Sequence, residues 1–211
     1  MTVKEFKIKN ITSARLFLPI VSLILVLIIN MIKTPNFFNI TIQNGVFYGY
    51  IIDVINRASE LVILAVGMTL VVASSGGTDI SVGAVCALAG AVACFILAGG
   101  EVSTDVYRAP YIAAFIAAVV VGLLCGSFNA FLVAKMNIQP MVATLILFTA
   151  GRGMAQLVTN GQITYIRVES FKMLGNSVHG IPLPTPVFVA IAVVLITLII
   201  LKKTALGLYI E

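Results

Sequence analysis

The sequence predicts an all-α integral membrane protein with about six transmembrane helices, and three observations lead to this fold class. The 211 residues are 60% hydrophobic and only 10% charged, whereas a soluble domain usually carries about 25% charged residues. The mean hydropathy is +1.12. Apolar runs close to the length of a membrane span recur along the chain. Six spans with short loops leave no room for a sizeable soluble domain, which argues against an enzyme with a water-exposed active site.

Six apolar runs account for most of the chain. The polar and basic residues 1–15 precede them, and residues 202–211 follow the last run. A basic start followed by an apolar run can be a signal peptide, but this run is long and no small-residue cleavage motif follows it, so we interpret it as an uncleaved span. The predicted transmembrane domain, residues 16–201, has spans near 16–32, 51–73, 80–97, 111–133, 140–158 and 187–201.

Three charged residues interrupt the second run. Asp53 and Arg57 are four residues apart, and Glu60 follows three residues later. Residues at these spacings share one face of a helix and can neutralise each other. The alternative is that this face contacts a partner or lines a pathway.

The stretch "ASSGGTDISVG", residues 73–83, is the most polar break in the apolar sequence. Gly76 and Gly77 permit backbone angles that other residues resist. Asp79 is placed to cap a helix that begins near Ile80, by accepting an N–H bond from Ser81 or Val82. The stretch is therefore either a structural turn with a helix cap or a break that lines a pathway.

Small residues recur every four positions along the fourth run. This stripe predicts close approach of a neighbouring helix, and Asn129 lies beside it, where it can hydrogen-bond to that neighbour. The stripe consists of Ala118, Gly122, Gly126 and Ala130.

The fifth run contains Arg152, which shares a helix face with Thr149 and Gln156. An arginine that faces lipid costs about 2.5–3.5 kcal/mol on insertion scales. It therefore either extends toward the interface near the end of its span or faces protein or water. In the second case Arg152, Gln156 and the nearby Asn160 are candidates for a pathway or for contact with a partner.

The remaining reactive side chains predict neither metal binding nor covalent catalysis. The cysteines Cys86, Cys94 and Cys125 all lie inside apolar runs, which is typical of small buried packing residues. Neither a Cys-x-x-Cys motif nor a Cys/His spacing indicates a metal site. We expect no catalytic residue and no metal in this chain.

The distribution of basic residues predicts a cytoplasmic N-terminus. If each run crosses once, seven Lys and Arg residues fall in the cytoplasmic segments and four in the external ones, which are the longer loops. The cytoplasmic residues are Lys4, Lys7, Lys9, Arg15, Lys135, Lys202 and Lys203. The external residues are Lys33, Arg108, Arg167 and Lys172.

Two stretches resemble the sugar permeases of bacterial ABC importers, in the ribose/galactoside-type branch. In "AVGMTLVVASSGGTDISVG" the matching positions follow the family pattern, apart from Thr78, where the family more often has isoleucine. "IQPMVATLILFTAGRGMAQLVTNGQI" is similar to the fifth helix of the family, and "DVINRAS" and "GRGMAQL" are most similar to galactofuranose importer permeases. The matching residues of the first stretch are Gly67, Met68, Thr69, Gly76, Gly77, Asp79, Ser81, Val82 and Gly83.

The resemblance implies a longer permease bundle that dimerises or pairs with a sister permease. It also implies a cytoplasmic ATP-binding subunit, an extracytoplasmic sugar-binding protein and a location in the bacterial cytoplasmic membrane. ATP and Mg are expected on the partner, because the sequence has no phosphate-binding loop. Lys202, Lys203 and Glu211 are expected to lead into the loop that couples to the ATPase. Since members of the family are longer, we expect this sequence to be the N-terminal part of such a permease, or a truncated product.

Two other functions stay open at this point, an ion-driven secondary transporter and a truncated, non-transporting scaffold or regulatory subunit. The sequence does not identify the sugar among galactofuranose, ribose, galactose and others, nor does it decide between a homodimer and a heterodimer.

Overall fold

The computed structural model describes residues 17–34, 36–43, 45–176, 181–204 and residue 207. The described chain is almost entirely helical, which confirms the all-α fold class. One short helix, α6 (Glu169–Gly175), accompanies the long apolar helices. The long helices are α1 (Phe17–Lys33), α2 (Tyr50–Ser75), α3 (Val82–Ala98), α4 (Tyr111–Ala130), α5 (Pro140–Val158) and α7 (Thr185–Lys203).

Each long helix coincides with a predicted apolar run to within about three residues at either end, apart from the C-terminus of α4. A π-helical turn, Phe131–Lys135, extends α4. Four helices, namely α2, α4 with this extension, α5 and α7, are long and apolar enough to cross a membrane, whereas α1 and α3 are apolar but shorter. The number of crossings and the boundaries of the cytoplasmic segments stay predictions.

The helices pack in two groups. The helix α3 packs against both α4 and α5, and α2 packs against α7. Leu88, Cys125 and Leu147 form the centre of the first group, one from each of its three helices. No residue of α1 is buried.

The helices α3 and α5 cross closely where Gly151 faces Ala84. A Cβ atom built on Gly151 would lie 3.3 Å from the Cβ of Ala84, and Ala84 is completely buried. The absence of a side chain at Gly151 therefore sets the distance between these two helices.

We expect Gly151→Leu to separate α3 from α5, because a larger side chain has no space at this crossing. The matched control is Gly153→Leu, since a Cβ built at Gly153 meets no atom within 4 Å. Thermal unfolding of both variants in lipid nanodiscs should show a lower Tm for Gly151→Leu alone. Equal Tm values would contradict the crossing.

Short strands join the loops at the end of the bundle where α2 begins. Strands β1 (Thr41–Gln43) and β2 (Val46–Tyr48) form an antiparallel hairpin before α2. Strands β3 (Ser103–Thr104) and β4 (Tyr165–Ile166) pair in parallel and connect the loops that follow α3 and α5. The break between α2 and α3 lies at the opposite end, together with the turn from α4 to α5.

Candidate functional site

The glycines of the break end α2 and bring it against α5. Gly76 adopts a left-handed conformation with φ of 65°, and its N–H donates to the Val72 carbonyl oxygen at the end of α2. A Cβ atom on Gly77 would lie 2.5 Å from the Cβ of Pro140, the first residue of α5. Gly76 is thus needed for the helix end and Gly77 for the close approach.

Asp79 fixes the start of α3. Its Oδ1 atom accepts the Ser81 N–H at 2.7 Å and the Ser81 hydroxyl at 2.6 Å. The predicted bond from Ser81 is therefore confirmed. The predicted helix start near Ile80 is wrong, because α3 begins at Val82 and Ser81 holds the N-cap position. Asp79 folds the chain immediately before the cap.

A chain of hydrogen bonds connects Asp79 to α4. The Asn129 Nδ2 group donates to Ser81 Oγ at 3.0 Å. Because the Ser81 hydroxyl has a single proton, which it gives to Asp79, it serves Asn129 as an acceptor. Ser81 is 1% exposed and Asn129 9% exposed, so both bonds are shielded from water and hold their geometry.

A second connection leads from the break to α5. The Ile80 N–H donates to Thr144 Oγ1 at 3.2 Å, and Thr144 is 3% exposed. Sequence reasoning missed Thr144 and the Pro140 contact. A threonine within an apolar run was the available signal for Thr144, but its partner is 64 residues earlier.

These groups surround one cavity, which we call the break cavity. Its volume is about 340 Å³. Of the predicted site residues, Gly77, Asp79 and Asn129 line it, Gly76 precedes it, and Ser81 joins Asp79 to Asn129 behind it. The lining residues are Val71, Ser74, Ser75, Gly77, Thr78, Asp79, Gly126, Asn129, Ala130, Val133, Ala134, Pro140 and Thr144.

Arg152, Gln156 and Asn160 lie apart from the break cavity. Arg152 is exposed, and its guanidinium carbon lies 4.2 Å above the centroid of the Phe148 ring, a distance typical of a cation–π contact. Asn160 adopts a positive φ of 51° in the turn after α5. The structure therefore divides the predicted site residues into a buried group at the break and an exposed group on α5.

The small-residue stripe of α4 has no close neighbour within the described chain. A Cβ atom built on Gly122 or Gly126 meets no atom within 4 Å. Gly126 and Ala130 instead line the break cavity, and Ala118 is half-buried. Close helix packing along this stripe stays a prediction.

The charged face of α2 does not neutralise itself. Among the described residues, no ion pair within 4 Å involves Asp53, Arg57 or Glu60, so the predicted mutual neutralisation is wrong. All three side chains are exposed, and water screens such pairs while side-chain entropy opposes them. They line a second cavity of about 580 Å³, the α2–α6 cavity, together with Asn56 and Lys172.

The other predicted positions are reported briefly. Cys125 is buried, whereas Cys86 is exposed, so the prediction of burial is wrong for Cys86. Lys202 and Lys203 form the exposed last turn of α7, and Glu211 lies outside the described residues. No cluster of metal-binding side chains occurs within the described part of the chain.

Comparisons with known proteins identify relatives of the same kind. The chain is 41% identical over 192 residues to a galactofuranose transporter permease of Escherichia coli K12, which covers 91% of this chain and 53% of the relative. A fructose import permease of Bifidobacterium longum is 34% identical, with coverages of 97% and 56%. A ribose import permease of E. coli K12 is 36% identical, with coverages of 90% and 55%.

The chain spans about half the length of these curated relatives. No solved structure matches it. The family model described as "branched-chain amino acid transport system / permease component" matches residues 50–211, a range that includes the break, the hydrogen-bonded network and helices α2 to α7. The resemblance to sugar permeases is thereby confirmed, and the chain belongs to this family of transport-system permease components.

Proposed function

We propose that this chain forms part of the translocation pathway of an ATP-driven sugar importer and works by alternating access. The observation that carries the proposal is the network that joins Asp79, Ser81 and Asn129 inside an otherwise apolar bundle. Polar groups at membrane depth are costly and are typical of transport pathways. The relatives named above are sugar permeases, which supports the choice of cargo.

The partners of the importer follow from the family. ATP and Mg would bind to a separate ATPase subunit, which would dock on the side where α7 ends at Lys202 and Lys203. An extracytoplasmic binding protein would deliver the sugar from the opposite side. A second permease copy or a sister permease would complete the pathway, and the exposed α5 face with Arg152, Gln156 and Asn160 is a candidate surface for the pathway or for a partner.

We place the chain in the bacterial cytoplasmic membrane, with its N-terminus in the cytoplasm. The excess of basic residues in the predicted cytoplasmic segments supports this orientation. In this orientation the break cavity lies toward the cytoplasm and the α2–α6 cavity toward the outside.

The break is suited to follow a movement of α5. Gly77 touches the first residue of α5, and Thr144 of the same helix holds the Ile80 N–H. A shift of the N-terminal end of α5 would therefore act directly on the joint between α2 and α3. Alternating access needs such an element with two arrangements, which ATP binding in the partner would bias.

The assembled importer provides the test of this function. Sugar uptake by a bacterial host should require ATP, the ATPase subunit and the binding protein. Uptake driven by an ion gradient without ATP would instead establish a secondary transporter, and the absence of any uptake in the complete assembly would support a scaffold.

Two substitutions of Asp79 separate its structural role from a role of its charge. Asp79→Asn should retain most of the uptake, because an amide oxygen can still accept the Ser81 N–H. Asp79→Ala should lower the stability by about 0.5–2 kcal/mol, as for a lost helix cap, and should reduce uptake. Equal loss of uptake in both variants, with an unchanged Tm, would contradict the structural role and point to the charge itself.

A further inference from the structure

We propose that the break cavity binds a neutral, hydroxyl-bearing small molecule of the sugar class, with the Asn129 amide as its main hydrogen-bonding group. The proposal rests on the proposed function and deepens it. It adds a sugar site at the end of the bundle where α2 ends and α5 begins, which is the exit side in the predicted orientation.

The size and lining of the cavity fit such a molecule. Its volume of about 340 Å³ lies within the range of small-molecule pockets, about 300–1,000 Å³. Val71, Val133 and Pro140 provide apolar surface, and Ser75, Thr78, Asp79, Asn129 and Thr144 provide hydrogen-bonding groups. A sugar ring presents the same combination, with C–H groups on its faces and hydroxyl groups around its edge.

The charge of the cavity favours a neutral ligand. Asp79 is the only ionisable residue that lines it, and no lysine, arginine or histidine does so among the described residues. A carboxylate or phosphate group would meet the Asp79 carboxylate without a cation to compensate for the repulsion. The lining therefore selects an uncharged sugar over an amino acid or a sugar phosphate.

Asn129 is the residue that lacks a partner in this cavity. Its Nδ2 group is committed to Ser81, but its Oδ1 atom is buried and accepts no hydrogen bond from any described residue. A buried carbonyl oxygen without a donor is rare and costly. A sugar hydroxyl supplies the missing donor when the amide turns toward the cavity, because the surrounding protein covers Oδ1 in the present arrangement.

Asn56 provides a matched control at the other end of the bundle. Its Nδ2 group donates to the Gly175 carbonyl oxygen at 3.1 Å, and its Oδ1 atom is also buried without a donor. It lines the α2–α6 cavity, where four exposed charged side chains dominate. A general effect of removing an unpaired amide would therefore appear in both variants, whereas loss of the proposed site would appear only at Asn129.

Equilibrium binding to the full chain in lipid nanodiscs tests the proposal. Radiolabelled D-galactose, D-ribose and D-fructose serve as neutral probes, and D-ribose 5-phosphate serves as the anionic probe. We expect saturable binding of at least one neutral sugar and much weaker binding of the phosphate. Absence of saturable binding of all three sugars, or equal binding of the phosphate, would overturn the proposal.

Variants then locate the site. Asn129→Ala should weaken sugar binding about tenfold, as expected for a lost buried hydrogen bond, while Asn56→Ala should leave it unchanged. Ala130→Phe should abolish binding by filling the cavity from an exposed position of α4, and it decides the question if Asn129→Ala lowers the Tm. Unchanged binding in Ala130→Phe would overturn the site.

Transport assays separate this proposal from the proposed function. ATP-driven uptake by the assembled importer together with unchanged sugar binding in Ala130→Phe would remove the site and leave the function intact. Sugar binding that depends on Asn129 without any ATP-driven uptake would keep the site and remove the function.

Discussion

Gly77→Ala should lower the stability of the bundle by about 1–3 kcal/mol, the usual cost of an overpacked contact, and should abolish sugar uptake by the assembled importer. The added Cβ would lie 2.5 Å from the Pro140 Cβ and 2.6 Å from its Cγ. The pyrrolidine ring is bonded to its own backbone and cannot swing away. Relief therefore requires the end of α2 and the start of α5 to move apart, and thermal unfolding in nanodiscs would measure the loss.

Gly83→Ala is the matched control for this prediction. Gly83 lies in the first turn of α3, and a Cβ atom built on it meets no atom within 4 Å. We expect an equal or slightly higher Tm, because alanine favours a helix by about 1 kcal/mol over glycine. If Gly77→Ala unfolds at the same temperature as Gly83→Ala, the contact with Pro140 does not constrain the bundle.

Ser81→Ala is the second substitution with a large expected effect. It removes the hydroxyl that connects Asp79 to Asn129, which leaves both polar ends of the Asn129 amide without a partner in a buried place. A buried polar group without a partner costs about 1–3 kcal/mol. Chemical or thermal unfolding should show a loss of this size, and Ser74→Ala, which removes an exposed hydroxyl bonded only within its own helix, should show almost none.

A double variant tests the mechanism of that loss. Adding Asn129→Leu to Ser81→Ala removes the amide that the single variant leaves without a partner. Part of the lost stability should therefore return, because replacing both partners of a hydrogen bond is often nearly neutral. Strictly additive losses would show that the two side chains are not coupled.

The helices were predictable because their signals are local. Long apolar runs located them, and Pro140 begins α5 as a proline suited to a first turn. The exact ends differed where caps decide: α2 continues to Ser75 because Gly76 ends it in a left-handed conformation, and α7 begins at Thr185 directly after Pro184. Apolar periodicity does not contain this information.

The site was only partly predictable, because its contacts join distant segments. The sequence singled out Asp79, Ser81 and Asn129 as residues, but the bond from Asn129 to Ser81 spans 48 positions. The pairing of β3 with β4 has no local signal either, since each strand has two residues. Spacing within one helix also misled for Asp53 and Arg57, because a shared face does not oblige two exposed charges to pair.

The division of the bundle into two packed groups sets an order of assembly during synthesis. The helices α3, α4 and α5 follow one another in the chain and pack together, so their core forms from nearby segments with little loop-closure entropy. The partner of α2 is α7, whose first residue comes 110 positions after the last residue of α2. While a ribosome makes the intervening chain, at about 5–20 residues per second, α2 lacks this partner, and the late arrival of α7 completes its packing.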